Sequence, residues 1–163
     1  MSDNIQVRVA TPADVHGFMK LALGGAEENA FLSPDPERML QEVWPALNLV
    51  GGVCGIITSE DGTPEGGILL RIGNMWYSNQ YTLEEKAIFI DPAFRSAKGG
   101  RARKLCEFGK RVADELEIPL IIGVLSNHRT EGKVKMYQRI FGQTTGAFFL
   151  YNARTDARIT ASE

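Results

Sequence analysis

Cysteine is almost absent from this chain, with only Cys54 and Cys106 among 163 residues. Each stands in an apolar neighbourhood far from the other, without the spacing of a zinc site or a disulfide framework. Both read as buried thiols in a reducing compartment, and no metal site is expected. Neither has a neighbouring His or other base that would mark a nucleophile. Histidine is equally scarce: His16 reads as a surface residue, and His128 either faces solvent or touches a ligand. No apolar run reaches the roughly 18 residues that cross a bilayer. The opening "MSDNIQVRVATPADV" has no basic segment followed by an apolar one, so no signal peptide is expected. A large excess of one charge is also missing. A net charge of −2 gives no overall pull toward nucleic acid or anionic lipid, so any anion binding must be local. These absences predict a cytoplasmic protein with no membrane and no nucleic-acid partner.

What is present is the composition of an ordinary globular domain, 44% hydrophobic and 23% charged. The length suits one domain with a proper core. "IQVRVA" alternates as a half-buried strand does. Thr11 as N-cap and Pro12 then open a helix with Val15, Phe18, Met19 and Ala22 on one face. "GGAEENAFLSPD" breaks that pattern. Asp35 and Pro36 open a second helix, which Pro45 kinks or ends. From residue 50 the period becomes that of strands, with "SEDGTPEG" as a hairpin turn and a third strand ending at Asp91 and Pro92. Trp76, in "NMWYSNQY", is expected to pack in the core, while its neighbours could line an acceptor pocket.

A helix follows from residue 99 to about 116. Then come the apolar run "IPLIIGVLS", a strand covered on both faces, the helix "RTEGKVKMYQRIF" and a last strand, "TTGAFFLYN". The predicted order is β-α-α-β-β-β-α-β-α-β, an α/β (α+β) domain over 1–151 with a mixed sheet and one parallel strand-helix-strand unit over 86–125. Residues 152–163 form a tail that completes the sheet, pairs with a partner subunit or stays mobile.

The stretch with the most chemistry is "IFIDPAFRSAKGGRARKLCEF", residues 88 to 108. It puts two glycines and the basic Arg95, Lys98, Arg101 and Arg103 at the start of a helix, whose unpaired N–H groups and dipole favour an anion. A solvated basic turn is the plainer reading.

The order of elements together with this loop resembles the GNAT superfamily of acyl-CoA-dependent N-acyltransferases. "DPAFRSAKGGRA" aligns without gaps to that family's Asp/His-Pro-x-Tyr-Arg-x-x-Gly-x-Gly-x-Ala, with Arg95, Gly100 and Ala102 in place. Lys98 replaces the first signature Gly, and Gly99 comes one place late. The resemblance implies a mostly antiparallel sheet with helices on both faces, and coenzyme A pyrophosphate over Arg95, Ser96, Ala97, Lys98, Gly99, Gly100 and Arg101. It implies pantetheine along the backbone of Phe89 and Ile90. Asn127 and Tyr137 stand where the family often carries an Asn after the crossover and a Tyr that protonates the leaving thiolate. The family's Gly-Phe is transposed here to Phe141-Gly142. Glu84 and Glu85 precede the pantetheine-binding strand, where many members hold a carboxylate base. Adjacent strand residues face opposite ways, so only one can face the cleft, and Glu84 is the first choice. The spacing from Phe94 to Tyr151 is also similar to acetyltransferases encoded by tailed phages.

The resemblance thus implies an N-acetyltransferase that uses acetyl-CoA and no metal, acting on a small-molecule or peptide primary amine by direct attack in a ternary complex. A catalytically inactive coenzyme A-binding scaffold of the same fold is the alternative, given room by Lys98 and the unassigned base. A nucleic-acid module on residues 95–111 is opposed by Glu107, Asp114, Glu115 and Glu117. Whether the protein forms a homodimer stays open.

Overall fold

The computed structural model describes residues 5–29, 31–95, 99–126 and 129–153. The chain runs through β1 (Arg8–Val9), a 3-10 turn (Pro12–Asp14), α1 (Val15–Asn29), α2 (Pro36–Leu47), β2 (Gly52–Thr58), β3 (Pro64–Asn74) and β4 (Tyr81–Ile90). After a second 3-10 turn (Pro92–Phe94) come α3 (Arg101–Leu116), β5 (Leu120–Ile121) and α4 (Thr130–Phe141). The five strands form one sheet in sequence order, antiparallel except for the parallel β4–β5 pair. A crossover helix joins that pair, as expected.

Period-two alternation sends the two strand faces into two cores. On one face α1 and α2 bury Phe18, Leu21, Val43, Ala46 and Leu47 against Cys54, Ile56, Leu69 and Phe89. On the other, α3 buries Leu105, Phe108 and Ala113 against Ile57, Ile68, Leu70 and Leu83. α4 packs on α3 on that second side, where Lys110 Nζ donates to the Ile140 carbonyl at 3.2 Å. Both cysteines are fully buried free thiols, as expected. Burial pushes each up to about 12, so neither supplies thiolate at neutral pH.

Two β-bulges re-aim side chains near one end of the sheet. In β3, Ile57 pairs with Gly66 and Thr58 with Pro64, which leaves Glu65 as the extra residue. In β4, Leu69 pairs with Ala87 and Leu70 with Glu85, which leaves Lys86. Before the second bulge Leu83 packs on the α3 face. After it Ile88 and Ile90 do, while Ala87 and Phe89 turn to α1.

Four expectations are corrected. Helix α1 does not stop at Gly24 and Gly25 but runs to Asn29. A Cβ at Gly25 would lie 3.1 Å from Phe89 Cβ, so this glycine serves close helix–sheet approach rather than helix breaking. β5 is two residues rather than a strand across "IPLIIGVLS", and Ile121 is 38% exposed rather than covered on both faces. "TTGAFFLYN" forms no strand among its described residues: β5 ends too early to offer it a ladder, and Phe149 and Tyr151 stay about nine-tenths exposed. Trp76 is 93% exposed, because the β3–β4 connection projects beyond the sheet, and its ring meets Tyr77 edge to face at 5.7 Å.

Candidate functional site

β4 and β5 share only the pairs Leu83↔Leu120 and Glu84↔Ile121, after which no ladder joins them. Among the described residues, no strand pairs with that edge of β4 from Glu85 to Ile90. Phe89 turns its ring into the core, edge to face with Phe18 at 5.0 Å, so only its backbone can meet a ligand at this edge. Ile90 likewise points its side chain into the α3 core, and its carbonyl accepts from Arg95 Nε at 3.1 Å.

Beyond Ile90, Asp91 caps the 3-10 turn by accepting from the Ala93 N–H at 2.9 Å. Gly99 and Gly100 both take positive φ, +125° and +59°, and lead into α3. The φ of +125° at Gly99 is one that L side chains rarely adopt, and a Cβ there would also have to displace the tip of the Ile5 side chain. Lys104 Nζ ties the same segment down by donating to the Ile5 carbonyl at 2.7 Å. The first-turn N–H groups of α3 face this loop without helical acceptors. Ser96, Ala97, Lys98, Asn127 and His128 lie outside the described residues.

The basic side chains of the loop are mostly committed to carboxylates. Arg95 is gripped through both terminal nitrogens by Glu28, at the end of α1. Arg101 is buried, donates from Nε to Glu65 Oε1 at 2.9 Å and lies over the Phe94 ring, 4.8 Å from its centre. Arg103 pairs with Glu107 one turn on, at 2.9 Å. Of the expected anion-binding side chains, Arg101 thus faces inward and Arg95 is held by a partner, while the backbone of Gly99, Gly100 and Arg101 sits at the helix start.

The two glutamates diverge as alternation requires. Glu84 pairs with Lys86 at 2.7 Å and lies over Gly73. Glu85 turns to the α3–α4 side, where its carboxyl accepts from the Gly123 N–H, just past the end of β5. Burial pushes Glu85 up to about 7, with the Gly123 N–H and the Lys86 charge pulling the other way. Tyr137, reaching in from α4, donates its hydroxyl to Cys106 Sγ, and Glu85 acts on both electrostatically. Burial raises the phenol well above its ordinary value, so Tyr137 keeps its proton. The structure therefore brings Glu85 and Tyr137 together and leaves Glu84 apart from them.

Sequence reading missed Lys133, whose ammonium donates to Ser126 Oγ at 2.7 Å. It lies one helical turn before Tyr137 on the same face of α4, and that spacing was the available signal. A second concavity of about 290 Å³ opens beside β5, lined by Met75, Tyr77, Gln80 and Ile121 among others. This is part of the stretch read as a possible acceptor wall. Among the described residues no group of His, Cys, Asp or Glu could hold a metal ion, and no helix is long and apolar enough to cross a membrane.

No family model matches the chain, and no curated protein does. Solved structures do. The aminoglycoside N-acetyltransferase AAC(6')-Iy, in complex with the bisubstrate analogue CoA-S-monomethyl-acetylneamine, superposes with a TM-score of 0.67 at 16% identity, over 93% of this chain and 99% of its own. An acetyltransferase from Trypanosoma brucei gives 0.65 at 16%, over 91% and 99%. A ribosomal-protein-alanine N-acetyltransferase from Brucella melitensis biovar Abortus 2308 gives 0.65 at 16%, over 91% and 98%. The likeness runs over nearly the full length of each, and the chain has the fold of GNAT acetyltransferases.

Proposed function

We propose that this protein transfers an acetyl group from acetyl-CoA to a primary amine, by direct attack within a ternary complex. The observation that carries the reading is the opening of the sheet between β4 and β5 at Glu85, with Tyr137 on one wall and the start of α3 at its far end. The open edge of β4 offers backbone groups to an extended amide-bearing arm, as an added strand would use them. The first turn of α3 offers N–H groups that lie beyond the reach of the helix's own carbonyls, together with the positive end of its dipole, to phosphate. These features fit coenzyme A, whose thioester would supply the activated acyl carbon.

In the reaction the amine nitrogen bonds to the acyl carbon, the carbon–sulfur bond breaks with its electron pair going to sulfur, and one proton leaves the nitrogen. Glu85 is the base we assign to that proton. A carboxylate with a pKa about 7 is a better acceptor at neutral pH than an ordinary one, and Glu84 is already paired with Lys86. Tyr137 is the proton donor to the departing sulfur. Its hydroxyl already donates to a sulfur, that of Cys106, and the role asks it to turn to a second one. No covalent enzyme intermediate is needed, because holding amine and thioester together supplies the gain from proximity. The concavity beside β5, rimmed by Met75 and Tyr77, is the assigned acceptor entrance, and the class of amine is small-molecule or peptide. The similar structures of an aminoglycoside N-acetyltransferase and of a ribosomal-protein-alanine N-acetyltransferase lie on both sides of that choice.

The direct test is thiol release from acetyl-CoA, followed across a panel of polyamines, aminoglycosides and peptide amines. Release that depends on one amine class supports the reading. Binding of acetyl-CoA without release for any amine would leave a binding protein on this fold instead.

A further inference from the structure

Among the described residues, the basic side chains at the start of α3 and of α4 differ in their counter-charges. Arg95 is matched by Glu28, Arg101 by Glu65 and Arg103 by Glu107. Lys133 has no carboxylate at ion-pair distance among the described residues; its ammonium instead meets the neutral hydroxyl of Ser126. Thr130 holds that hydroxyl's own residue in place by donating to the Ser126 carbonyl at 2.9 Å.

Position strengthens the point. Lys133 and Tyr137 are four residues apart on α4, hence on one face and about 6 Å apart along the helix. Tyr137 sits beside Glu85, where β4 and β5 part, and Lys133 lies toward the Arg95 end of the open edge. Partial burial is the largest factor holding the Lys133 ammonium below its ordinary value, followed by the charges of Arg95 and Arg129, which oppose it, and of Glu28, which favours it. Glu28 is already bound to Arg95, so the balance around Lys133 is positive, and partial burial adds to the cost of its charge. An anion entering here would relieve both.

Resting on the function proposed above, we infer that Lys133, on α4, is the side chain that receives the phosphate groups of the acyl donor, while Arg95 serves as a brace between the loop and α1. The charge that recognises the donor thus comes from the helix carrying the proton donor, and Gly99, Gly100 and the start of α3 contribute backbone.

The test compares acetyl-CoA with S-acetylpantetheine, which carries the same thioester and no phosphate, in the wild-type protein and in Lys133→Met and Lys133→Arg. The expected result is about a tenfold rise in KM or Kd for acetyl-CoA in K133M, with kcat little changed. S-acetylpantetheine should be handled alike by all three proteins, and K133R should recover most of the loss. The salt dependence of acetyl-CoA binding should be shallower in K133M. Equal effects of K133M on both donors, or no effect on either, would overturn the assignment of Lys133 while wild-type turnover leaves the transferase reading standing. A wild-type protein that binds neither donor would overturn both.

Discussion

Arg101 Nε donates to Glu65 Oε1 at 2.9 Å, and both side chains are more than nine-tenths buried. The contact joins the bulge of β3 to the first residue of α3, and so fixes where the helix start points. Removing either partner leaves a charge in the interior, at a cost of about 3 kcal/mol. Arg101→Met should lower the melting temperature more than the double replacement R101M/E65L, which removes both charges. A single variant as stable as wild type would show that the pair does not hold the helix.

Tyr137→Phe keeps the ring, which meets Phe141 edge to face at 5.9 Å, and removes only the hydroxyl. A general acid contributes about a hundredfold or more. Turnover should fall by about that factor while the Kd for acetyl-CoA, measured by calorimetry, stays within about twofold. Unchanged turnover would remove Tyr137 from the chemistry.

Glu85 has a folded pKa of about 7 against an ordinary 4.5. Between those values the folded protein keeps a proton that the unfolded chain has lost, so stability from this group falls as pH rises through the window and is lowest above about pH 7. Glu85→Gln lacks the proton to lose. Melting curves from pH 4.5 to 8 should converge at the acid end, once other differences are subtracted, with the variant gaining on wild type as pH rises. Parallel curves would refute the shift.

Asp14 behaves oppositely. It accepts from Arg8 at 2.7 and 2.8 Å and from the Thr11 N–H at 2.8 Å, and these bonds, Arg8 first, hold it down to about 2. Its stabilisation is present above the ordinary carboxylate value of 3.8 and is lost as pH falls through about 2. Asp14→Ala should cost about 1 kcal/mol at pH 7 and much less at pH 2, read by denaturant titration.

Gly99→Ala meets Ile5 Cδ1 at 2.2 Å and must also hold φ near +125°. A loss of about 2 kcal/mol is expected, and Ile5→Ala should restore only the steric part. Full restoration would mean that the backbone carries no strain.

Local chemistry made most of this fold readable. Asp35 before Pro36 signalled α2, and its side chain accepts from the Glu37 N–H at 2.9 Å. Asp61 and Gly62 signalled the β2–β3 turn, where Gly62 takes φ +87°. What could not be read were relationships across the sequence. Arg95 finds Glu28 67 residues away and Arg101 finds Glu65 36 away, and no spacing rule announces such partners. The bulge at Lys86 puts Glu85, in phase with Leu83, on the same face as Ile88 and Ile90, yet a one-residue change of register leaves no mark on periodicity. "TTGAFFLYN" has the composition of a strand, but a strand exists only where a neighbour supplies hydrogen bonds, and β5 stops at Ile121. Trp76 misled for a related reason, since hydrophobicity says nothing of whether a loop folds back on the body.

The packing of Ile5 against Gly99, with the Lys104 ammonium on the Ile5 carbonyl, has a practical side. Ile5 thus lies against the Gly99 end of the loop at which the donor is proposed to bind. A fusion partner or a trimmed amino end is therefore an intervention at that loop, 94 positions downstream of Ile5, and preparations that differ only in tag design should be compared for donor affinity before their kinetics are pooled.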